Sequence, residues 1–194
     1  MSPPTRLEGA RVALLQLSAD ALDALIAGDA ERLEGLTGAR FPRPLRPPPL
    51  MDDALPFMRD RLRAEPSEAG WWSWLVVDQA TGEALGSLGL TGPPDTEGVV
   101  TLGYAIYPGY QGRGYATEGA GLLVAWALAE PGVSSVRATV PPAHAISLRV
   151  ADKLGMRPVG TDHDPEVGEV VVLEVREDPT EGAAGPPRGD HRRG

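Results

Sequence analysis

Two glycines one residue apart, Gly112 and Gly114, stand between strand-forming residues and helix formers, and no other stretch of the chain suggests chemistry so directly. Leu102, Tyr104, Ile106 and Tyr107 read as a strand, which Pro108 and Gly109 break. Gln111-Gly112-Arg113-Gly114-Tyr115 follows, and residues 116–130 are good helix formers. A strand that passes through a small-residue turn into a helix leaves several backbone N–H groups without intrahelical partners at the positive end of the helix dipole. Such an end is a phosphate site. The functional question is which phosphorylated ligand sits there and what its neighbours do to it.

Familiar phosphate loops do not fit. A P-loop has the spacing of Gly109 and Gly114, but Tyr115 and Ala116 occupy the positions that need lysine and a hydroxyl. A dinucleotide fingerprint needs a third glycine where Thr117 stands, and no early βαβ unit opens the chain. The chain has no cysteine, which excludes a thiolate nucleophile, a disulfide framework and cysteine-ligated zinc. His144, His163 and His191 are too scattered for a histidine metal site, so no metal is expected. A net charge of −9 argues against nucleic acid as the main partner and suits an amine-bearing substrate, although it also serves plain solubility. A site for an anion must then be made locally, by backbone dipoles and a few arginines. Neither a membrane span nor a signal peptide is apparent, and a cytoplasmic protein is the expectation.

The run Gln111-Gly112-Arg113-Gly114-Tyr115-Ala116 matches the Q/R-x-x-G-x-G/A signature of the GNAT acetyltransferase superfamily, and YQGRGYATEG is similar to its ribosomal-protein N-terminal acetyltransferase branch. A second segment agrees: His144-Ala-Ile-Ser147 and then Arg149-Val-Ala-Asp-Lys-Leu-Gly-Met156 resemble the family's N-x-x-S-x-r-v-x-e-k-L-G-F. The likeness is specific over residues 102–159 and architectural elsewhere. It implies acetyl-CoA as acyl donor, with its pyrophosphate on the N–H groups from Gly112 through Tyr115 and Ala116 to Thr117. Gln111 and Arg113 would assist, and the backbone near Ile106 and Tyr107 would pair with the pantetheine arm. Arg149 and Lys153, one helical turn apart, read either as further holders of the CoA phosphates or as a solvated helix face. A bulge there would free an N–H to polarise the thioester carbonyl. The implied partners are acetyl-CoA and an amine acceptor, a protein N-terminus or a small amine, with room for a homodimer. Direct attack by the amine is the implied chemistry; a catalytically silent acyl-CoA-binding module is the rival.

The proton chemistry is less legible. Many family members have a tyrosine where this chain has Ala151, and a glutamate where it has Thr101. Ser147 matches a serine placed near the CoA sulfur in the ribosomal-protein branch; helix-start capping is its other reading. His144 replaces the usual asparagine and is a candidate base or hydrogen-bonding group, or a loop histidine without such a role. Candidate base carboxylates are Glu83, Glu97, Asp162, Asp164 and Glu166, each equally readable as a solvated charge. Gly119 and Gly121 in the helix suggest close approach to the sheet or the ligand.

These groups need a frame. Residues 11–17 read as a strand, Ser18 as an N-cap for the helix after it, and 29–36 as a second helix. The proline-rich stretch 41–50 reads as a stiff loop, either a partner motif or one wall of a pocket. A helix over 52–64 precedes a strand over 71–77 in which Trp72 should face opposite to Trp71 and Trp74, one ring being core and another able to line the acceptor groove. A return strand over 83–91, the strand and helix of the glycine motif, a strand over 134–140, a helix over 143–154 and a closing hairpin to 176 complete the order. The fold class expected is α/β (α+β), a mixed, mainly antiparallel sheet of six to seven strands with helices on both faces. Residues 10–177 form one domain, 1–9 a loose start and 178–194 a disordered tail.

Overall fold

The computed structural model describes residues 5–47 and 54–176. One sheet of eight strands runs in the order β1-β2-β3-β4-β5-β6-β8-β7. Its strands are β1 (Arg6–Glu8), β2 (Val12–Gln16), β3 (Ser73–Asp78), β4 (Ala84–Leu90), β5 (Val99–Ile106), β6 (Ser135–Val140), β7 (Arg157–Asp164) and β8 (Gly168–Arg176). All neighbours are antiparallel except β5 and β6, which the crossover helix α4 (Tyr115–Ala129) makes parallel. The additional strand relative to the sequence expectation is β1, inside the segment read as loose. It pairs Leu7 with Leu14 across a tight turn in which the Gly9 N–H bonds the Val12 carbonyl. Three residues with one apolar side chain carry no periodicity by which to find them. The expected tail lies outside the described residues.

Side-chain alternation along the strands divides the core into two layers. Leu14, Trp74, Val76, Leu88, Leu102 and Ile106 pack under α4 with Ala120, Leu123 and Ala127. Leu75, Val77 and Ala84 pack on the other face under α1 (Ala19–Ala27), α2 (Ala30–Thr37) and α3 (Leu55–Ala64). Ser18 and Asp29 cap α1 and α2 through their side chains. Gly119 is pressed against the sheet, where an added Cβ would lie 2.9 Å from Leu88; beside Gly121 the closest approach is an ordinary 3.6 Å contact with Leu154. The tryptophan strand starts later than expected, because residues Pro66–Trp71 form a 3-10 turn. The faces come out as the alternation predicts. Trp71 and Trp74 lie against Trp126, with ring centroids 4.8 and 5.9 Å away, while Trp72 packs edge-on to Phe57 in the opposite layer.

Candidate functional site

Strand β5 pairs with β6 through Val99, Val100 and Thr101 only. Beyond Thr101 the two part: β6 continues beside β8, and β5 continues beside β4 up to Ile106. The Thr91 N–H bonds the Thr101 carbonyl and the Tyr107 N–H bonds the Leu85 carbonyl, so the odd-numbered residues of β5 face β4. Strand geometry then turns the N–H and C=O groups of Tyr104 and Ile106 toward the gap. The bulge expected near Ile106 and Tyr107 is not there, because the pairing of β5 with β4 is regular throughout. The irregularity falls one strand away, where Val77 pairs with Ala84 and Leu85 is skipped. Divergence from β6 opens the edge instead.

Into that gap opens a cleft of about 560 Å³, bordered by β5, the glycine turn, the first turn of α4, and α5 (Ala145–Lys153). Gly112 and Gly114 hold φ of 74° and 82°, the left-handed conformation that costs other residues about 1 kcal/mol or more. Gly114 is the N-cap of α4 and has no side chain to answer the amides of the first turn. The first intrahelical bond comes from the Glu118 N–H. The amides of Tyr115, Ala116 and Thr117 therefore remain for an anion, and all three residues line the cleft. The Gln111 side chain donates to the Ile106 carbonyl at 2.8 Å and ties the turn to the end of β5.

The turn is clamped from beneath. Arg11 bonds Glu118 through its backbone N–H (2.6 Å) and its Nε (2.8 Å), donates to the Arg113 carbonyl at 3.0 Å, and lies over the Tyr115 ring. The Val12 N–H adds a third bond to Glu118. Burial alone would push the Glu118 carboxyl up, but the backbone and guanidinium bonds outweigh it and hold it below the usual range. This clamp joins positions 107 residues apart, and no local pattern announces it.

Most of the residues picked out by the motif meet here: Ile106, Gln111, Gly112, Gly114, Tyr115, Ala116, Thr117, His144, Ser147 and Arg149 all line the cleft. Ser147 Oγ and His144 Nδ1 are 2.9 Å apart, so these two form a bonded pair at the start of α5. Arg149 and Lys153 add exposed cations. Two expected members stand elsewhere. The Arg113 guanidinium lies over the Tyr110 ring, and Tyr107 is buried, its hydroxyl donating to the Arg46 carbonyl at 2.8 Å. None of Glu83, Glu97, Asp162, Asp164 and Glu166 lines the cleft; Asp164 accepts from the amides of Glu166 and Val167 in its own turn. Nor do residues 41–47 of the proline-rich loop, where Phe41 is buried beneath α1–α3; residues 48–50 lie outside the described residues. The residue that sequence reasoning missed is Tyr104. It lines the cleft, its hydroxyl donates to the Ser147 carbonyl at 3.1 Å, and burial pushes its pKa up, so it remains a proton donor.

A diverging parallel strand pair beside a glycine turn that caps a helix defines a class, and the comparisons agree. The model of the acetyltransferase (GNAT) domain family matches residues 11–157, and the chain belongs to that family. The uncharacterized N-acetyltransferase YjdG of Bacillus subtilis (strain 168) is 31% identical over 103 residues, 53% of this chain and 61% of YjdG. The match thus spans about three fifths of that relative's length. Among solved structures, Mycobacterium smegmatis RimJ in complex with CoA-disulfide superposes with a TM-score of 0.65 over 95% of this chain and 93% of its own, at 18% identity. The ribosomal-protein-S5-alanine acetyltransferase of Vibrio fischeri gives 0.64 over 91% and 98%, at 13% identity. At these identities the structures share the fold.

Proposed function

We propose that this chain is an acyl-CoA-dependent N-acetyltransferase that moves an acetyl group from acetyl-CoA to a primary amine. The observation that carries the reading is the left-handed glycine turn, which opens the α4 amides onto the same cleft as the diverging edge of β5. The turn suits a pyrophosphate and the strand edge suits the amide-bearing arm of CoA, whose thioester supplies the activated acyl group. In the transfer, the amine nitrogen bonds the carbonyl carbon as the carbon–sulfur bond breaks; the amine gives up a proton and the sulfur gains one. A backbone N–H of β5 turned into the cleft supplies a hydrogen bond to the thioester carbonyl. Ser147, bonded to His144, stands in the cleft as the group to hand a proton to the leaving sulfur, and Tyr104 fixes the start of α5 relative to β5. The acceptor is a protein N-terminus or a small amine.

Free-thiol release on mixing the protein with acetyl-CoA and a panel of amines tests the reading. Amine-dependent release supports it. Tight CoA binding with no release above background would instead favour a silent acyl-CoA-binding module, for which Ala151, His144 and Thr101, in place of the family's tyrosine, asparagine and glutamate, are the motivation.

A further inference from the structure

The glycine turn has little of its own to hold it still. Gly112 and Gly114 carry no side chains, and an added Cβ at Gly112 would meet nothing within 4 Å. Glycine backbones have the most conformational freedom to lose, so an unrestrained pair would weaken a ligand site through the cost of ordering it. The left-handed geometry must therefore be held from outside the turn. On the α4 side the first residue with a side chain to do so is Tyr115.

The Tyr115 ring lies under the Arg11 guanidinium, 5.1 Å from it, and its hydroxyl donates to Asp78 Oδ2 at 3.2 Å. Asp78 ends β3 and is itself immobilised. Its Oδ1 accepts from the amides of Ala80 (2.9 Å) and Thr81 (3.0 Å), its backbone N–H bonds the Glu83 carbonyl, and its own carbonyl accepts from the Gly82 N–H. One carboxylate oxygen thus fixes the turn between β3 and β4, and the other serves Tyr115. Burial pushes the Asp78 carboxyl up, but these bonds outweigh it and keep it below its ordinary range, so the acceptor is charged at neutral pH. The neighbouring Gln79 reaches the other half of the clamp. Its backbone N–H bonds the Arg11 carbonyl at 2.9 Å, and its side chain donates to the carbonyls of Gly9 (2.7 Å) and Val12 (3.1 Å). A single turn therefore carries both Tyr115 and the Arg11 backbone, although neither Asp78 nor Gln79 lines the cleft.

We propose that Asp78 is a positioning residue for the CoA phosphate site: bonded to the Tyr115 hydroxyl, it holds the first amides of α4 aligned for the pyrophosphate without touching it. The proposal rests on the acyl-CoA reading above, and it gives the turn between β3 and β4 a part in cofactor affinity and none in the chemistry. Tyr115, Ala116 and Thr117 present their N–H groups together only while the first turn of α4 stays wound, and a Tyr115 ring free to swing lets that turn fray. The ordering that a loose turn would undergo on binding is completed instead when the chain folds.

Calorimetric titration of the full-length protein with CoA, joined to thiol-release kinetics, tests this. Tyr115→Phe removes one oxygen and keeps the ring over Arg11. It should raise the CoA Kd and the acetyl-CoA KM about fivefold or more, toward the scale of a hydrogen bond to a charged group, with kcat and the amine KM unchanged. Asp78→Asn leaves one oxygen to serve both the turn amides and Tyr115, and should weaken CoA binding in the same direction. The double variant should bind CoA no more weakly than the weaker single variant, because both changes remove the same bond. A wild-type Kd in Tyr115→Phe, a loss that falls on kcat rather than Kd, or losses that multiply in the double variant overturn the proposal. Tyr115→Phe decides it alone if Asp78→Asn fails to fold. If the wild-type chain binds CoA but releases no thiol with any amine, the transferase reading falls and the Kd comparisons still decide the role of Asp78. If the wild-type chain does not bind CoA, both fall.

Discussion

The two faces of β5 border spaces built by different means. On the α4 side the working groups are backbone amides, exposed because Gly112 and Gly114 turn left-handed and because β5 loses β6 after Thr101. On the other side Ser87, Gly103, Trp72 and Met58 line a smaller hollow, gathered from two strands, the junction before β3 and a helix by register and packing. A backbone site needs particular conformations at consecutive residues, which restricts their types and leaves a motif. A side-chain hollow assembled from residues far apart in sequence leaves none. The cleft is therefore read from a dozen residues, and the smaller hollow only once the strands are aligned.

The comparison is broken most decisively on the backbone side. Gly114→Glu places a carboxylate at the N-cap and imposes a left-handed φ on a side-chain residue. We expect CoA affinity, measured by calorimetry, to fall about a hundredfold or more, the scale at which a ligand site is lost; retained affinity would remove the phosphate assignment. Next comes the clamp beneath the turn. Glu118→Gln weakens bonds to Arg11 and Val12 and should cost about 2 kcal/mol at neutral pH in a denaturant titration. Because the folded-state pKa of Glu118 is depressed, its contribution is complete above the unfolded value of about 4.3 and is lost as pH falls through the lower folded value. The gap between wild type and the glutamine variant should accordingly narrow below about pH 4.

Smaller effects sharpen the division. Ser147→Ala should reduce kcat roughly tenfold or more in the thiol-release assay while CoA affinity stays level, as expected of a proton donor rather than a ligand-binding group. Tyr104→Phe removes the bond to the Ser147 carbonyl and should lower kcat about three- to tenfold, one neutral hydrogen bond's worth. Arg113→Ala should change CoA affinity by no more than about twofold, since its guanidinium lies over Tyr110 and an exposed cation is strongly screened. A large loss there would show that the arginine reaches the ligand, as the motif alone suggested.

The order of elements was legible because each carries its own short-range signal. Ser18 and Asp29 announce helix starts, and the alternation of the tryptophans correctly separates Trp72 from Trp71 and Trp74. The errors came where a long-range contact decides. Strand β1 is too short to show a period and exists only beside β2. The 3-10 turn Pro66–Trp71 delays β3, and Trp74 Nε1 bonds the Gly70 carbonyl across that junction. The candidate base carboxylates were chosen from an expected fold, and none of them lines either space.

By itself the sequence determined the glycine turn, the helix it opens and most, though not Tyr104, of the residues that line the cleft around them. Those depend on φ angles, dipoles and caps, which a few neighbouring residues set. Only the tertiary structure decided that the strand edge is opened by divergence rather than by a bulge, that Arg11 and Glu118 hold the turn, and that Ser87 and Gly103 share one hollow with Trp72. Each of these is a meeting of residues distant along the chain, fixed by strand register and core packing, which no local pattern encodes.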